Sequence, residues 1–98
     1  LLTSAAPYRV VTRKKGEGCQ IDLLIQSKWF WYVVEIKRKR YIGREVVEEV
    51  ARKVERLPHP RAISIRTALV YEGELSKAIE GDGYFDALVP IADLLGRS

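Results

Sequence analysis

The chain has 98 residues, enough for one compact hydrophobic core but too few for two domains. Its 47% hydrophobic and 31% charged residues are typical of a folded globular domain, and no apolar run approaches the roughly 20 residues of a membrane span. The net charge of +4 is uneven: residues 1–40 carry nine Lys and Arg against three Asp and Glu, and residues 41–98 carry eight against ten. This basic first part favours a polyphosphate partner, because binding phosphates releases condensed counterions. No membrane partner is expected, since no apolar run is long enough to span.

The first seven residues have neither an initiator methionine nor a basic stretch before their apolar positions. We therefore expect a fragment of a longer protein, with residues 1–98 forming a single domain and no signal peptide. Cys19 is the single cysteine, which excludes an internal disulfide and a cysteine-based zinc site. The expected location is a reducing cytoplasm.

Residues of high β-propensity predict three strands in the first part of the chain, at Tyr8–Thr12, Ile21–Gln26 and Trp29–Lys37. A polar loop with two glycines is expected after the first strand. Only Ser27 and Lys28 separate the second and third strands, which predicts a tight antiparallel hairpin.

The second part begins with apolar residues at helical spacing, which predict an amphipathic helix from Gly43 to Leu57 that Pro58 ends. Further elements are predicted at 62–71 (strand), 74–80 (short helix ended by Gly81), 85–89 (strand) and 91–95 (terminal turn). The predicted fold is α/β, with a mixed central sheet flanked by helices.

Three charged residues of the predicted hairpin are expected to converge. Glu35 and Lys37 are two residues apart on one strand and therefore share a face. Asp22 is near the start of the second strand, which in a hairpin lies beside the end of the third strand, where Glu35 and Lys37 are. A solvated ion pair would explain the Glu-Ile-Lys tripeptide alone, but Asp22 lies within an apolar strand, where an unpaired carboxylate costs several kcal/mol.

These residue types suit phosphodiester hydrolysis. Carboxylates are the ligands that Mg²⁺ accepts, and Asp22 and Glu35 supply two of them. A nearby lysine can orient or deprotonate the attacking water and offset the charge of the transition state, and Lys37 is placed for this role.

The pattern of an acid, a gap, then an acid, any residue and lysine resembles the PD-(D/E)XK nuclease-like (restriction-endonuclease-like) domains. The segments 18–26 and 34–37 are similar to the C-terminal region of prokaryotic AAA-type ATPases that carry such a domain, and the resemblance extends to Leu95. It implies catalytic residues Asp22, Glu35 and Lys37, with Mg²⁺ or Mn²⁺ held by Asp22, Glu35 and the carbonyl of Ile36. It also implies a DNA substrate and a C-terminal fragment attached to an ATPase region.

The sequence departs from that family at one point. Active members usually carry a further acid on a helix before the first strand, whereas here only Glu17 precedes Asp22, in a predicted loop. No Gly-x-x-x-x-Gly-Lys-Ser/Thr motif occurs in these residues, so ATP hydrolysis would reside elsewhere in the parent protein.

Other side chains are candidates for contacts around this site. Basic residues on both sides of the hairpin are candidates for DNA phosphate contacts: Lys14, Lys15, Arg38, Lys39 and Arg40. Gln20 shares the Asp22 face and is a candidate accessory residue, although a structural role at a strand start explains it equally well. The aromatic residues 29–32 are expected to fill a core rather than to stack on bases.

Two alternatives to a nuclease remain open from the sequence. The fold could be a catalytically inactive module for DNA docking or partner binding, as the missing upstream acid would suggest. Alternatively, the aromatic hairpin could pair with a second copy in a homodimer. Stabilisation by Mg²⁺ or Mn²⁺ is expected for the nuclease and for neither of the two alternatives.

Overall fold

The structure is a computed structural model that describes the backbone of residues 8–16 and 19–96 and the side chains of residues 21–96. The elements in the described residues are, in chain order, β1 Tyr8–Gly16, β2 Cys19–Ser27, β3 Phe30–Ile42, α1 Glu45–Arg56, β4 Ser64–Leu75, α2 Lys77–Asp82, β5 Ala87–Pro90 and α3 Ile91–Leu94. This arrangement confirms the predicted α/β class.

Within the described residues, the strands form one mixed sheet of five in the order β1-β2-β3-β4-β5. β2 pairs antiparallel with both β1 and β3, whereas β4 pairs parallel with both β3 and β5. The predicted hairpin is therefore confirmed, with Lys28 and Trp29 at its connection instead of Ser27 and Lys28. Parallel pairing of β3 with β4 requires a crossover, and α1 provides it.

Helix α1 covers the sheet with the valines that the 3.6-residue period predicted. Val46, Val47 and Val50 are buried and share one hydrophobic core with strand residues such as Leu24 and Leu69. Ile79 of α2 belongs to the same core. The two helices therefore pack on the sheet face that also carries Leu24 and Leu69.

Local chemistry explains where α1 lies along the chain. Glu45 in its first turn and Arg56 in its last turn complement the helix dipole. Leu57 has already left the helical conformation, with φ −84° and ψ 113°, and Pro58 follows it. An extended conformation before proline is expected, because the proline ring clashes with a helical residue before it.

Several predicted boundaries are wrong, among them the end of β4, which continues past Tyr71 to Leu75 and so includes residues predicted to begin a helix. β1 continues past Thr12 to Gly16, and β3 continues past Lys37 to Ile42, because neighbouring strands supply hydrogen bonds that local composition does not reveal. Helix α2 includes Gly81 and ends at Asp82, because it is Gly83, and not Gly81, that adopts the left-handed conformation (φ 66°) that commonly follows a helix.

In the part of the chain that the structure describes, every helix is too short or too polar to cross a membrane.

Candidate metal and phosphate site

The candidate site lies where β2 and β3 separate. Their pairing runs from Gln26 opposite Trp31 to Leu23 opposite Val34. One residue further along β2, a side chain bonds to β3 where the strand pairing has ended: Asp22 Oδ2 accepts a hydrogen bond of 3.0 Å from the backbone N–H of Ile36. Asp22 is thereby held against the Glu-Ile-Lys segment of β3.

The carbonyl of Ile36 faces the same side of β3 as Asp22. In an antiparallel strand, the N–H and C=O of one residue point toward the same neighbour, because paired residues exchange both bonds. The N–H of Ile36 points to Asp22, so its C=O does too. Ile36 is 42% exposed, as expected for a strand residue whose side chain points to the opposite sheet face from Glu35 and Lys37.

Glu35 is the buried carboxylate of the site, with only 2% of the residue exposed. Lys53 of α1 donates to its Oε1 at 2.9 Å, and the Lys37 Nζ lies 3.6 Å from its Oε2. Burial raises the pKa of Glu35; the hydrogen bond and charge of Lys53 oppose this, and the charges of Glu49 and Asp22 add to it, leaving the pKa above its usual value. Asp22 and Glu35 therefore lie close enough to repel each other.

Lys37 is held between two carboxylates. Besides Glu35, it contacts Glu49 of α1, with Nζ 3.2 Å from Oε1 and 3.3 Å from Oε2. Burial disfavours the charged lysine, but the hydrogen bond and charge of Glu49, together with Glu35, outweigh burial and raise the pKa of Lys37. At neutral pH Lys37 is therefore an ammonium ion, suited to charge neutralisation and not to accepting a proton.

Glu49 and Lys53 of α1 complete the cluster, and the sequence analysis missed both. Lys53 Nζ lies 3.8 Å from Glu49 Oε2, one helical turn away. Burial raises the pKa of Glu49, but hydrogen bonding to Lys37 and the charges of Lys37 and Lys53 lower it below its usual value. The sequence does contain a signal for both residues. Positions 49 and 53 flank the apolar stripe of α1, so their side chains are expected near the sheet on which the helix packs.

The basic residues after Lys37 lie on the surface of β3. Arg38, Lys39 and Arg40 are exposed and line one shallow depression together with Glu72 of β4. Arg38 Nε donates to Glu72 Oε1 at 2.9 Å. The side chains of three further sequence candidates, Lys14, Lys15 and Gln20, lie outside the described residues, as do Glu17 and the side chain of Cys19.

A β-bulge presents this basic segment. The register of β3 with β4 shifts between Arg38, opposite Glu72, and Tyr41, opposite Glu74. Two residues of β3, Lys39 and Arg40, therefore oppose the single Gly73 of β4, which is how a bulge is built. Gly73 has φ +128°, and a Cβ there would lie within 2.9 Å of the carbonyl carbon of Lys39 and closer still to its oxygen.

The donor groups fit a hard divalent cation chemically. The carboxylates of Asp22 and Glu35 and the carbonyl of Ile36 are oxygen ligands, the type that Mg²⁺ and Mn²⁺ prefer. Within the described residues, no group of three or more His, Cys, Asp or Glu is arranged to hold one ion. A metal here would therefore rest on two carboxylates, a carbonyl and water, a ligand set that Mg²⁺ commonly uses.

The aromatic residues of the hairpin divide between core and surface. Trp31 packs against the hydrophobic core, as predicted. Trp29 does not: it is 70% exposed, and the Lys28 ammonium lies 5.5 Å from the centre of its ring. The prediction of a core role is wrong for Trp29 because the hairpin connection lies one residue later than expected, which removes Trp29 from the strand.

Comparisons of the chain with known protein families, curated proteins and solved structures found no match.

Proposed function

We propose that this chain is a DNA endonuclease domain of the PD-(D/E)XK type that hydrolyses phosphodiester bonds with Mg²⁺ or Mn²⁺. The observation that carries the proposal is the convergence of Asp22, Glu35 and Lys37 where β2 and β3 separate, next to a basic strand surface. Charged groups this close, one of them buried, are costly for stability, and such arrangements occur preferentially at functional sites.

In this proposal Asp22, Glu35 and the Ile36 carbonyl hold the cation, which when bound polarises a phosphoryl oxygen and lowers the pKa of coordinated water. The hydrogen bond from the Ile36 N–H orients the Asp22 carboxylate. Lys37, charged at neutral pH, offsets the negative charge that develops on the phosphate in the transition state.

DNA is the proposed substrate because the basic segment continues directly from the site. Arg38, Lys39 and Arg40 follow Lys37 on the same strand and are exposed. Contacts from such residues to phosphates position a duplex without reading its sequence. Lys14 and Lys15, whose side chains lie outside the described residues, remain candidates for phosphate contacts in this proposal.

Metal-induced stabilisation is the first test. At a free Mn²⁺ concentration ten times Kd, the wild-type domain should gain about 1.4 kcal/mol, or roughly 5–10 °C in Tm for a domain of this size. Asp22→Asn and Glu35→Gln should each abolish the gain, because each removes a ligand charge. Thermal melting with Mn²⁺, with Mg²⁺ and with chelator measures this.

A matched control exists for the carboxylate changes. Asp93 is exposed in α3, and Asp93→Asn makes the same chemical change as Asp22→Asn away from the site. It should retain the full metal-induced gain. Absence of a gain in the wild type, or a full gain in Glu35→Gln, would show that the assigned metal site is wrong.

DNA binding is the second test. Replacing Arg38, Lys39 and Arg40 together by alanine should reduce the slope of log K against log salt by roughly two to three, since each phosphate contact contributes about 0.9. Fluorescence anisotropy of a labelled duplex at 50–200 mM salt measures the slope. The control is a triple alanine variant of the exposed residues Arg52, Arg61 and Lys77, which removes the same charge elsewhere. Equal slopes for the two triple variants would contradict the assignment.

The alternative is a catalytically inactive nuclease-fold module for DNA docking or partner binding. One observation favours it: both oxygens of Glu35 already face lysines, Lys53 at 2.9 Å and Lys37 at 3.6 Å. This module would bind DNA with the same salt dependence but gain no stability from Mn²⁺ and would not nick plasmid DNA.

Other parts of the proposal concern the setting of the domain. The similarity to ATPase C-terminal regions leads us to propose an ATPase region in the parent chain. The single cysteine leads us to propose a reducing, cytoplasmic location. A homodimer through the aromatic hairpin is the remaining assembly proposal, and exposed Trp29 would be its natural contact.

A further inference from the structure

Four charged side chains of alternating sign connect β3 with α1. Following the contacts, Lys53 lies 2.9 Å from Glu35, Glu35 lies 3.6 Å from Lys37, Lys37 lies 3.2 Å from Glu49, and Glu49 lies 3.8 Å from Lys53. The ring is electrically neutral. Each lysine lies within 4 Å of both carboxylates.

The two carboxylates differ in their need for a counterion. The Glu35 side chain is 3% exposed, whereas that of Glu49 is 36% exposed and partly served by water. A buried carboxylate without a positive partner is strongly unfavourable. The shorter of the two Lys53 contacts is accordingly the one to Glu35.

We propose that Lys53 is the internal counterion of Glu35 that a divalent metal replaces, and that Glu49 receives Lys53 when it leaves. This inference rests on the proposed function, since it assumes that Glu35 is a metal ligand. It describes how metal loading of that site is controlled by α1.

Electrostatics requires the exchange. Mg²⁺ binds carboxylate oxygens at about 2.0–2.1 Å, so an ammonium that remained 2.9 Å from the same Glu35 oxygen would lie within a few ångströms of a dication. Repulsion between unit charges at such distances is large wherever water is excluded. We therefore expect Lys53 to move away when a metal binds Oε1, the Glu35 oxygen that Lys53 contacts.

Geometry makes the exchange easy. Glu49 precedes Lys53 by four residues on α1, the orientation in which a Glu and Lys pair favourably on a helix. Lys53 Nζ is already 3.8 Å from Glu49 Oε2, so rotation of the lysine side chain is enough to form that hydrogen bond.

The experiment is a Mn²⁺ titration by calorimetry of the wild type, Lys53→Gln, Glu49→Gln and the double variant. Lys53→Gln keeps a hydrogen-bond donor but removes the competing charge, and it should bind Mn²⁺ roughly tenfold more tightly. Glu49→Gln should weaken binding roughly tenfold in the wild type, because the carboxylate that receives Lys53 is lost, but by less than about threefold in the Lys53→Gln background.

The double variant separates this exchange from direct ligation by Glu49. If Glu49 binds the metal itself, Glu49→Gln weakens Mn²⁺ binding equally in both backgrounds, which overturns the inference. Arg52→Gln removes the same charge from an exposed neighbour on α1 and should change affinity by less than about twofold. An equal gain for Arg52→Gln and Lys53→Gln would also overturn it.

The outcomes distinguish this inference from the proposed function. Absence of Mn²⁺ binding in both the wild type and Lys53→Gln overturns both. Wild-type binding that Lys53→Gln does not tighten overturns the exchange alone. If Lys53→Gln does not fold, Lys53→Met, which retains the aliphatic stem of the side chain, is titrated in its place with the same expected gain.

Discussion

Replacing Lys37 by alanine should reduce plasmid nicking by roughly 10²- to 10³-fold while preserving metal-induced stabilisation. The rate falls because the variant lacks the ammonium that offsets charge on the phosphate in the transition state, and single donors of this kind contribute about that much. Metal binding is preserved or tightened because a positive charge 3.6 Å from Glu35 is lost. Single-turnover nicking with saturating Mg²⁺, beside thermal melting with and without metal, measures both effects.

Lys77→Ala is the control for this experiment. Lys77 is exposed at the start of α2 and takes no part in the charged cluster, so its removal should leave both nicking and the metal-induced gain unchanged. Nicking by Lys37→Ala within about threefold of the wild type would exclude a catalytic role for Lys37. Loss of the metal-induced gain in Lys37→Ala would show instead that Lys37 supports the metal site itself.

Replacing Gly73 by alanine should destabilise the domain by about 3 kcal/mol or more, a large fraction of the roughly 5–15 kcal/mol by which a domain of this size is stable. Two effects combine. A φ of +128° is strained for any residue with a Cβ, and the added Cβ would collide with the backbone carbonyl of Lys39 on β3. Backbone atoms cannot rotate away as a side chain can, so the bulge itself must be lost. Urea unfolding monitored by circular dichroism measures the change.

Gly81 provides the matched control. It lies in α2, and apart from its chain neighbours and the backbone of the helix itself, no atom lies within 4 Å of where its Cβ would be. Gly81→Ala should therefore be neutral or stabilise the domain by up to about 1 kcal/mol, because alanine is the better helix former. Equal stabilities for Gly73→Ala and Gly81→Ala would show that the bulge tolerates a side chain.

The bulge also connects stability with the proposed DNA contacts. It places Lys39 and Arg40 opposite one residue of β4 and so sets the direction in which both side chains leave the strand. A Gly73→Ala variant that folded with a different β3–β4 register would present these two residues differently. The position of the basic segment therefore depends on a glycine on the neighbouring strand.

Much of the fold follows from patterns that act within a few residues. Alternation and β-branched residues predict β2 and β3, and the short connection predicts their antiparallel pairing, because only a tight turn can span it. The period of the valines in α1, followed by Pro58, predicts the helix. These predictions succeed because each rests on one element and its nearest neighbour along the chain.

The same local reasoning places Asp22, Glu35 and Lys37 near one another. Glu35 and Lys37 share a strand face by their spacing, and the hairpin brings Asp22 opposite them. That part of the candidate site needs no information beyond the first forty residues.

Only the tertiary structure decides the rest. Lys53 reaches Glu35 from 18 residues away, and Glu49 reaches Lys37 from 12 residues away, because α1 packs across the sheet. The strand ends at Gly16 and Ile42 likewise depend on hydrogen bonds from neighbouring strands. The sequence by itself determined the hairpin, the helix and the proximity of Asp22, Glu35 and Lys37, since their geometry follows from backbone period and turn length. The partners of Glu35 and Lys37 were decided by packing between distant segments, which no local period encodes.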